Sequence, residues 1–464
     1  MAQTGGACNR AARKPFPAGP VRSRASLSPT PRRALDSAEI RKKQKELLFP
    51  NVGTYYQEPL VLESGSGMHL TDADGREYLD FFGGILTVSV GHCHPKVTDA
   101  AIEQQKKLVH VSTLFPTEPQ IRLAEKLVQI GPMKPNKVFF TNSGTEANET
   151  AVTLAKVATG RRELIVLRHG YGGRGTLALN MMGNKNYRMI DSEVPGIKHA
   201  IAPYCYRCDL RLSYPSCDIA CAQDLKTLIE TETRGEIAAF MAEPILGVGG
   251  FITPPKEYFQ VALPIIKQAG GLFIADEVQT AWGRTGGKWW GVQQYGVTPD
   301  ILTSAKGMAN GQPIGLTMAR TEIADRFTGM QISTFGGSPV SMAAAVATLS
   351  VIEEEKLLFN AQVMGKALRD GLDGLKERHK GIGEVRGMGL MQAIELVKDR
   401  GSKEPDPQAA VRLMEETRKR GIIIGKGGTY GNVLRIAPPM IASRSDVDEA
   451  LRLIGDALME ALPR

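Results

Sequence analysis

No apolar run in the 464-residue chain approaches the ~18 consecutive residues that a membrane-spanning helix needs, so no membrane is expected among its partners. Cysteines number only six, too few for the disulfide framework of a small secreted domain. A reducing compartment follows, and the cytoplasm is the expected location. Acidic residues are missing altogether from residues 1–35, which hold seven basic ones. That segment is rich in Ala, Pro, Ser and Arg, the composition of a disordered extension. Its lack of acids also fits a transit peptide, which makes the mitochondrial matrix the alternative, although five prolines oppose an amphipathic helix there. Setting this segment aside leaves about +1 of the formal net charge of +8, so the body of the chain is no polyanion binder and nucleic acid is not expected as a partner.

What is present is an ordinary globular balance, with 42% hydrophobic and 23% charged residues. The length suits a large domain plus a smaller one. After an extension at residues 1–36, residues 37–97 read as an N-terminal arm and part of the small domain, with a charged helix from Ser37 to Leu48. A strand-turn-strand signal follows around Asp72-Ala-Asp-Gly75. His92-Cys93-His94-Pro95 reads as a turn into a helix. From 98 to 335, helical stretches alternate with short apolar runs at Lys137–Thr141, Glu163–Leu167, Ala238–Ala242, Gly271–Ala275 and Asp300–Ser304. That alternation predicts an α/β domain with a mostly parallel sheet covered by helices. Residues 336–464 read as a smaller α+β domain.

In such sheets ligands bind beyond the carboxyl ends of the strands. One end runs into Asn142-Ser143-Gly144-Thr145-Glu146, a capping-box spacing whose free amides suit either a plain helix cap or a phosphate. Another presents Tyr171 in a glycine-rich turn. Two others end in Glu243-Pro244 and Asp276-Glu-Val-Gln279, and a buried carboxylate at Asp276 calls for a cation. The last presents Lys306, for which an ion pair with Asp276 or Glu243 is the plainer reading. Together, an anion site, a stacking ring, an acid, a hydrogen-bonding Gln and an amine are the parts that pyridoxal phosphate requires.

Cys205, Cys208, Cys217 and Cys221 follow a Cys-x2-Cys-x8-Cys-x3-Cys spacing. It suits a structural zinc held by four thiolates, with disulfides or free thiols as alternatives.

Seven ordered motifs carry a family resemblance: Thr87-Val-Ser-Val-Gly-His-Cys-His-Pro-Lys96, Thr141-Asn-Ser-Gly-Thr-Glu-Ala-Asn-Glu149, Ala242-Glu-Pro-Ile245, Asp276-Glu-Val-Gln-Thr280, Ala305-Lys-Gly307, Ser333-Thr-Phe-Gly-Gly337 and Arg435-Ile-Ala-Pro-Pro439. Over roughly residues 45 to 460 the chain resembles the class III aminotransferases of pyridoxal-phosphate fold type I, most of all their alanine-glyoxylate branch. The resemblance implies that Lys306 forms the Schiff base and Asp276 pairs with the ring nitrogen. Gly144 and Thr145 would hold the phosphate, Tyr171 would stack on the ring and Gln279 would reach its hydroxyl. Thr334 would complete the phosphate site of a neighbouring subunit, which implies a homodimer with shared active sites. Arg435 would grip the α-carboxylate of an amino acid or 2-oxo acid.

Relatives acting on ω-amino donors such as ornithine or 4-aminobutyrate usually carry a Glu five residues after the Glu of Glu-Pro, where it masks this Arg. Here that position is Val248. The expectation is therefore ping-pong transfer between small α-amino donors and 2-oxo acids such as alanine and glyoxylate. The alternative is an ω-amino acid transaminase, or a mutase on the same fold. Gly172 also departs from the pattern, standing where relatives have His, and Ala281-Trp282 replaces a commoner Gly-Phe.

Overall fold

The computed structural model describes residues 35–189 and 194–462. The expected extension at 1–36 lies almost wholly outside them. By its contacts the chain divides into residues 1–49 and 50–464. In the first unit a helix spans Ser37–Leu47, capped by Asp36, whose carboxylate accepts from the Glu39 amide at 2.8 Å.

The second unit is organised by a seven-stranded sheet. Its spatial order is Asn136–Thr141, Gly315–Arg320, Ile301–Ser304, Leu272–Asp276, Ala239–Ala242, Leu164–Leu167 and Ile197–Ala200. Gly315–Arg320 runs antiparallel to both neighbours, and the other six strands run one way. The strands Leu164–Leu167, Ala239–Ala242 and Ile301–Ser304 are buried at every position, which is why they read as unbroken runs rather than as alternation. Their two-residue period still sorts the core. Ile165, Leu167, Phe240, Phe273 and Leu302 face one apolar cluster with Leu225 and Ile229 of the Ala220–Glu232 helix and Phe259 of the Tyr258–Gln268 helix. Leu164, Val166, Met241, Ile274 and Ile301 face the other, with Val152 and Leu154 of the Gly144–Thr159 helix.

Two smaller sheets flank this one in the sequence. Ile382–Met388, Met391–Leu396, Val433–Ile436 and Gly425–Gly427 form an antiparallel sheet. Leu62–Ser66, His69–Asp72 and Glu77–Asp80 form another, and its fourth strand is Ile422–Ile423, parallel to Glu77–Asp80. The turn at Asp72–Gly75 closes as its residues dictate. Asp72 accepts from the amides of Asp74 (3.0 Å) and Arg76 (2.9 Å), while Gly75 takes φ +81°.

Candidate active site

The parallel strands all end at one edge of the large sheet, and a cavity of about 320 Å³ opens there. Gly144, Thr145, Tyr171, Glu243, Gln279 and Lys306 line it. All six were read from the strand ends in the sequence, and they meet on one space although they are scattered from residue 144 to residue 306 of the chain.

The Asn136–Thr141 strand delivers the chain to Ser143, which caps the Gly144–Thr159 helix by accepting from the Glu146 amide at 3.2 Å. Glu146 reaches back to the amide of Asn142 at 2.9 Å, one residue before the cap, and so steadies the turn into the helix without closing a capping box on Ser143 itself. The amides of Gly144 and Thr145 precede any intrahelical acceptor and face the positive end of the helix dipole, where an anion is stabilised. Gly144 has little room for a side chain, since a Cβ would stand 3.0 Å from Val278.

Asp276 sits just beneath the cavity, 5% exposed. The cation anticipated for it is not its partner. Its oxygens accept instead from Asn148 Nδ2 (2.8 Å) and the Val278 amide (3.0 Å). Asn148 is fixed in turn by Thr303, which donates to its Oδ1 at 2.6 Å. Burial raises the Asp276 carboxyl above its ordinary range, while these hydrogen bonds and the nearby Lys306 oppose the rise. Asn148 was missed as a functional residue, although it stands four positions after Gly144 on the same helix face.

Lys306 projects from a backbone at φ +39°, a left-handed conformation uncommon for a lysine. Trp282 braces the preceding residue, its indole N–H donating to the Ala305 carbonyl at 3.2 Å while its ring packs on Trp290. Enclosure lowers the affinity of the Lys306 amine for protons, and Asp276 and Glu243 act against this only through space. The plain ion pair entertained for this lysine is not formed among the described residues.

Gln279 packs against Gly247, where a Cβ would collide with its amide, and its Oε1 is buried without a partner among the described residues. An orphaned acceptor beside an anion-ready helix start and a buried acid fits a ring that carries a hydroxyl, a phosphate and a protonated nitrogen. Tyr171 is half-buried, its ring edge-to-face with Tyr187. Gly172 leaves no space for the His of the family pattern, because a Cβ would lie 2.7 Å from the Ala178 carbonyl.

Arg435 is 3% exposed and is not among the residues lining the cavity; it reaches the carbonyl of Gly247, the residue against which Gln279 packs. Its guanidinium donates to backbone carbonyls, Lys426 at 3.0 and 3.2 Å and Gly247 at 3.5 Å, and lies over the rings of Phe82 and Phe251. No carboxylate among the described residues pairs with it. Thr334 is exposed and does not line this cavity.

Glu277, fully buried, accepts from Thr280, Gly291 (2.9 Å) and Val292 (2.6 Å) and so ties down the loop that carries Trp282. Burial pushes its carboxyl up from 4.5 to about 7. The folded chain then keeps a proton that the unfolded chain releases, and the penalty to folding grows as pH rises from about 4.5 to about 7 and levels off above. Glu277→Gln is destabilising, and its deficit should narrow by on the order of 1–3 kcal/mol across that window. Denaturant melts of both cofactor-free proteins at several pH values measure this; a deficit that widens with pH contradicts it.

The four clustered cysteines do line one small cavity, with Leu210, Leu212 and Ile219. All are free, and no group of three or more His, Cys, Asp or Glu side chains among the described residues is arranged to hold a metal ion, so the zinc expectation finds no support in the geometry. Burial pushes Cys205 up to about 11 and Cys221 up to about 12, which keeps both as thiols at neutral pH.

Comparison with known proteins adds three findings. The profile of the family described as aminotransferase class-III matches residues 53–458. The mitochondrial alanine–glyoxylate aminotransferase 2 homolog 2 of Arabidopsis thaliana is 41% identical over 91% of this chain and 88% of its own, and the mitochondrial alanine–glyoxylate aminotransferase 2 of Homo sapiens is 37% identical over 90% and 86%. Among solved structures, a thermostable (S)-enantioselective omega-transaminase from Thermomicrobium roseum superposes with a TM-score of 0.86 at 35% identity, covering 93% of this chain and all of that one. Both curated relatives are mitochondrial proteins, which overturns the cytoplasmic expectation drawn from cysteine usage. A few reduced thiols are compatible with more than one compartment.

Proposed function

The chain belongs to the class-III aminotransferases, pyridoxal-phosphate-dependent transaminases of fold type I, and from that premise we propose how its residues divide the work and which substrates they take. Pyridoxal phosphate, when bound, supplies a carbonyl that takes up an amino group and a ring that withdraws electrons from the reacting carbon.

Gly144 and Thr145 receive the phosphate at the helix start, and Tyr171 covers one ring face. Gln279 offers its orphaned Oε1 to the ring hydroxyl. Asp276, oriented by Asn148, holds the proton on the ring nitrogen. Lys306 would attach the cofactor, and its free amine would move a proton at the substrate carbon. Its depressed proton affinity suits both tasks, because only the neutral amine is a nucleophile or a base.

Arg435 carries the substrate reading. A buried guanidinium satisfied only by carbonyls retains its positive charge for a carboxylate, which it grips as a planar fork. The acceptor is therefore a small 2-oxo acid. For the donor we favour the wider range, ω-amino acids and amines included, supported by the likeness to an omega-transaminase over nearly the whole chain. Val248, beside the Arg and unable to mask it, favours the narrower alanine and glyoxylate pair named in the two mitochondrial relatives. A panel of amino donors followed by 2-oxo acceptors separates the two. Turnover of alanine with glyoxylate alone removes the wider reading.

Val248→Glu should restore the mask and raise KM for a 2-oxo acid by about tenfold with kcat little changed, measured by steady-state kinetics. An unchanged KM argues against Arg435 as the carboxylate fork.

Two further assignments accompany these. Thr334 serves a partner's phosphate site in a homodimer, supported by the exposed apolar Met330, Ile332 and Phe335 around it. Residues 1–35, basic and without acids, act as a mitochondrial address, supported by the compartment of the two relatives.

A further inference from the structure

Three carboxylates are buried at this edge of the sheet: Asp276, Glu277, which ties down the Trp282 loop, and Glu243, which lines the cavity and has no part in the scheme above. Glu243 is 8% exposed, and its two oxygens serve two different loops. One accepts from the Tyr171 amide at 2.9 Å and the other from the Gly247 amide at 2.8 Å. The second loop is a compact unit. Leu246 and Ile252 exchange backbone hydrogen bonds of 2.9 and 3.2 Å, and Gly250 accepts from Arg386 at 2.8 Å. Gly247 sits at its near end, with its N–H on Glu243, its carbonyl on Arg435 and its α-carbon against Gln279.

A continuous path therefore runs from the ring-stacking tyrosine through one carboxyl group to the carbonyl that touches the guanidinium. We propose that Glu243 is a positioning residue for substrate recognition, holding the Arg435 fork in register with Tyr171 so that a carboxylate and a reacting carbon are presented together. The inference rests on the assignment of Arg435 to the substrate carboxylate.

Hydrogen bonding explains how an acid can do this without becoming the mask that Val248 is not. Burial, and then the neighbouring Asp276, push Glu243 well above the usual carboxyl range, with the Gly247 and Tyr171 amides and Lys306 opposing. Each oxygen is taken by one of the two amides. A carboxyl group engaged in this way orients the loop without competing with substrate for the guanidinium. Gln at this position offers one acceptor where two are needed, and Asp falls one methylene short.

The test uses the cofactor-loaded enzyme with Glu243→Gln and Glu243→Asp, and Arg435→Ala as control. The readouts are kcat and KM for a 2-oxo acid, inhibition by propanoate, which is a carboxylate without an amine or ketone, and the dissociation constant of the cofactor. In both Glu243 variants KM and the propanoate inhibition constant should rise together by about tenfold, with kcat falling less than about threefold and cofactor affinity nearly kept. A merely structural role would weaken cofactor binding and kcat alike and leave no selective loss of carboxylate affinity. If Arg435→Ala raises KM while both Glu243 variants leave KM and propanoate inhibition within about twofold of wild type, the clamp is overturned and the functional reading stands. If Arg435→Ala itself leaves KM unmoved, the carboxylate assignment fails, and the clamp with it. Should the Gln variant misfold by circular dichroism, the Asp variant decides.

Discussion

Lys306→Ala should lower turnover by at least about 10⁴-fold while the protein remains folded. The size follows from how many tasks converge on one amine. In the proposed scheme it would secure the cofactor and carry a proton to and from the reacting carbon, and no other amine is found among the residues lining the cavity. Folding should survive because the side chain forms no ion pair within the described structure, and alanine tolerates the left-handed backbone about as well as lysine does. Borohydride reduction followed by mass spectrometry gives a readout independent of turnover: the peptide containing Lys306 should gain the reduced cofactor in wild type and no peptide should do so in the variant. Added methylamine should restore a small part of the rate. Retention of a tenth of wild-type turnover would falsify the assignment.

The second large effect belongs to Asp276→Asn. Asn148 Nδ2 and the Val278 amide both donate to this side chain, and an acid can accept from both while keeping lone pairs for the cavity. An amide of the same shape must turn its NH₂ toward one of the donors or toward the ring nitrogen, and it offers no negative charge. We expect kcat to fall by about 10²–10³ and cofactor affinity by about tenfold, because preorganised charge in a dry site is among the strongest aids an enzyme has. Saturating the variant with cofactor should leave the kcat defect in place. Full recovery under saturation would mean that Asp276 only retains the ring and does not tune it.

The strand ends that build the site were legible because burial on both faces forces unbroken apolar runs such as Leu164-Ile-Val-Leu167, and catalytic groups follow directly where those runs stop. Gly315–Arg320 left no such mark. It carries Gly, Thr and Arg, runs against its neighbours, and depends on pairing with Thr141 and Ser304, which lie far off in the chain or across a turn. Ile382–Met388 was missed for a related reason, since polar residues and two glycines break its pattern. At the site, residue types were readable but partners were not. A buried Asp276 suggested a cation, whereas the fold supplied an Asn and an amide at hydrogen-bonding distance. Four cysteines at ligand-like spacing suggested zinc, yet spacing fixes only loop lengths and not where the sulfurs point. Thr334, which the family resemblance assigned to a phosphate site, does not line the cavity at all.

The pairing of Ile422–Ile423 with Glu77–Asp80 has a consequence for synthesis on the ribosome. Leu79 and Phe81 donate their amides to the carbonyls of Gly421 and Ile423, both at 2.8 Å, so the arm that emerges early closes only against a strand that emerges roughly 340 residues later. At about 5–20 residues per second that delay is on the order of tens of seconds, during which the arm's edge is open to other chains. A nascent chain stalled before residue 420 should therefore be a target for chaperones, and its release past that point should coincide with their departure.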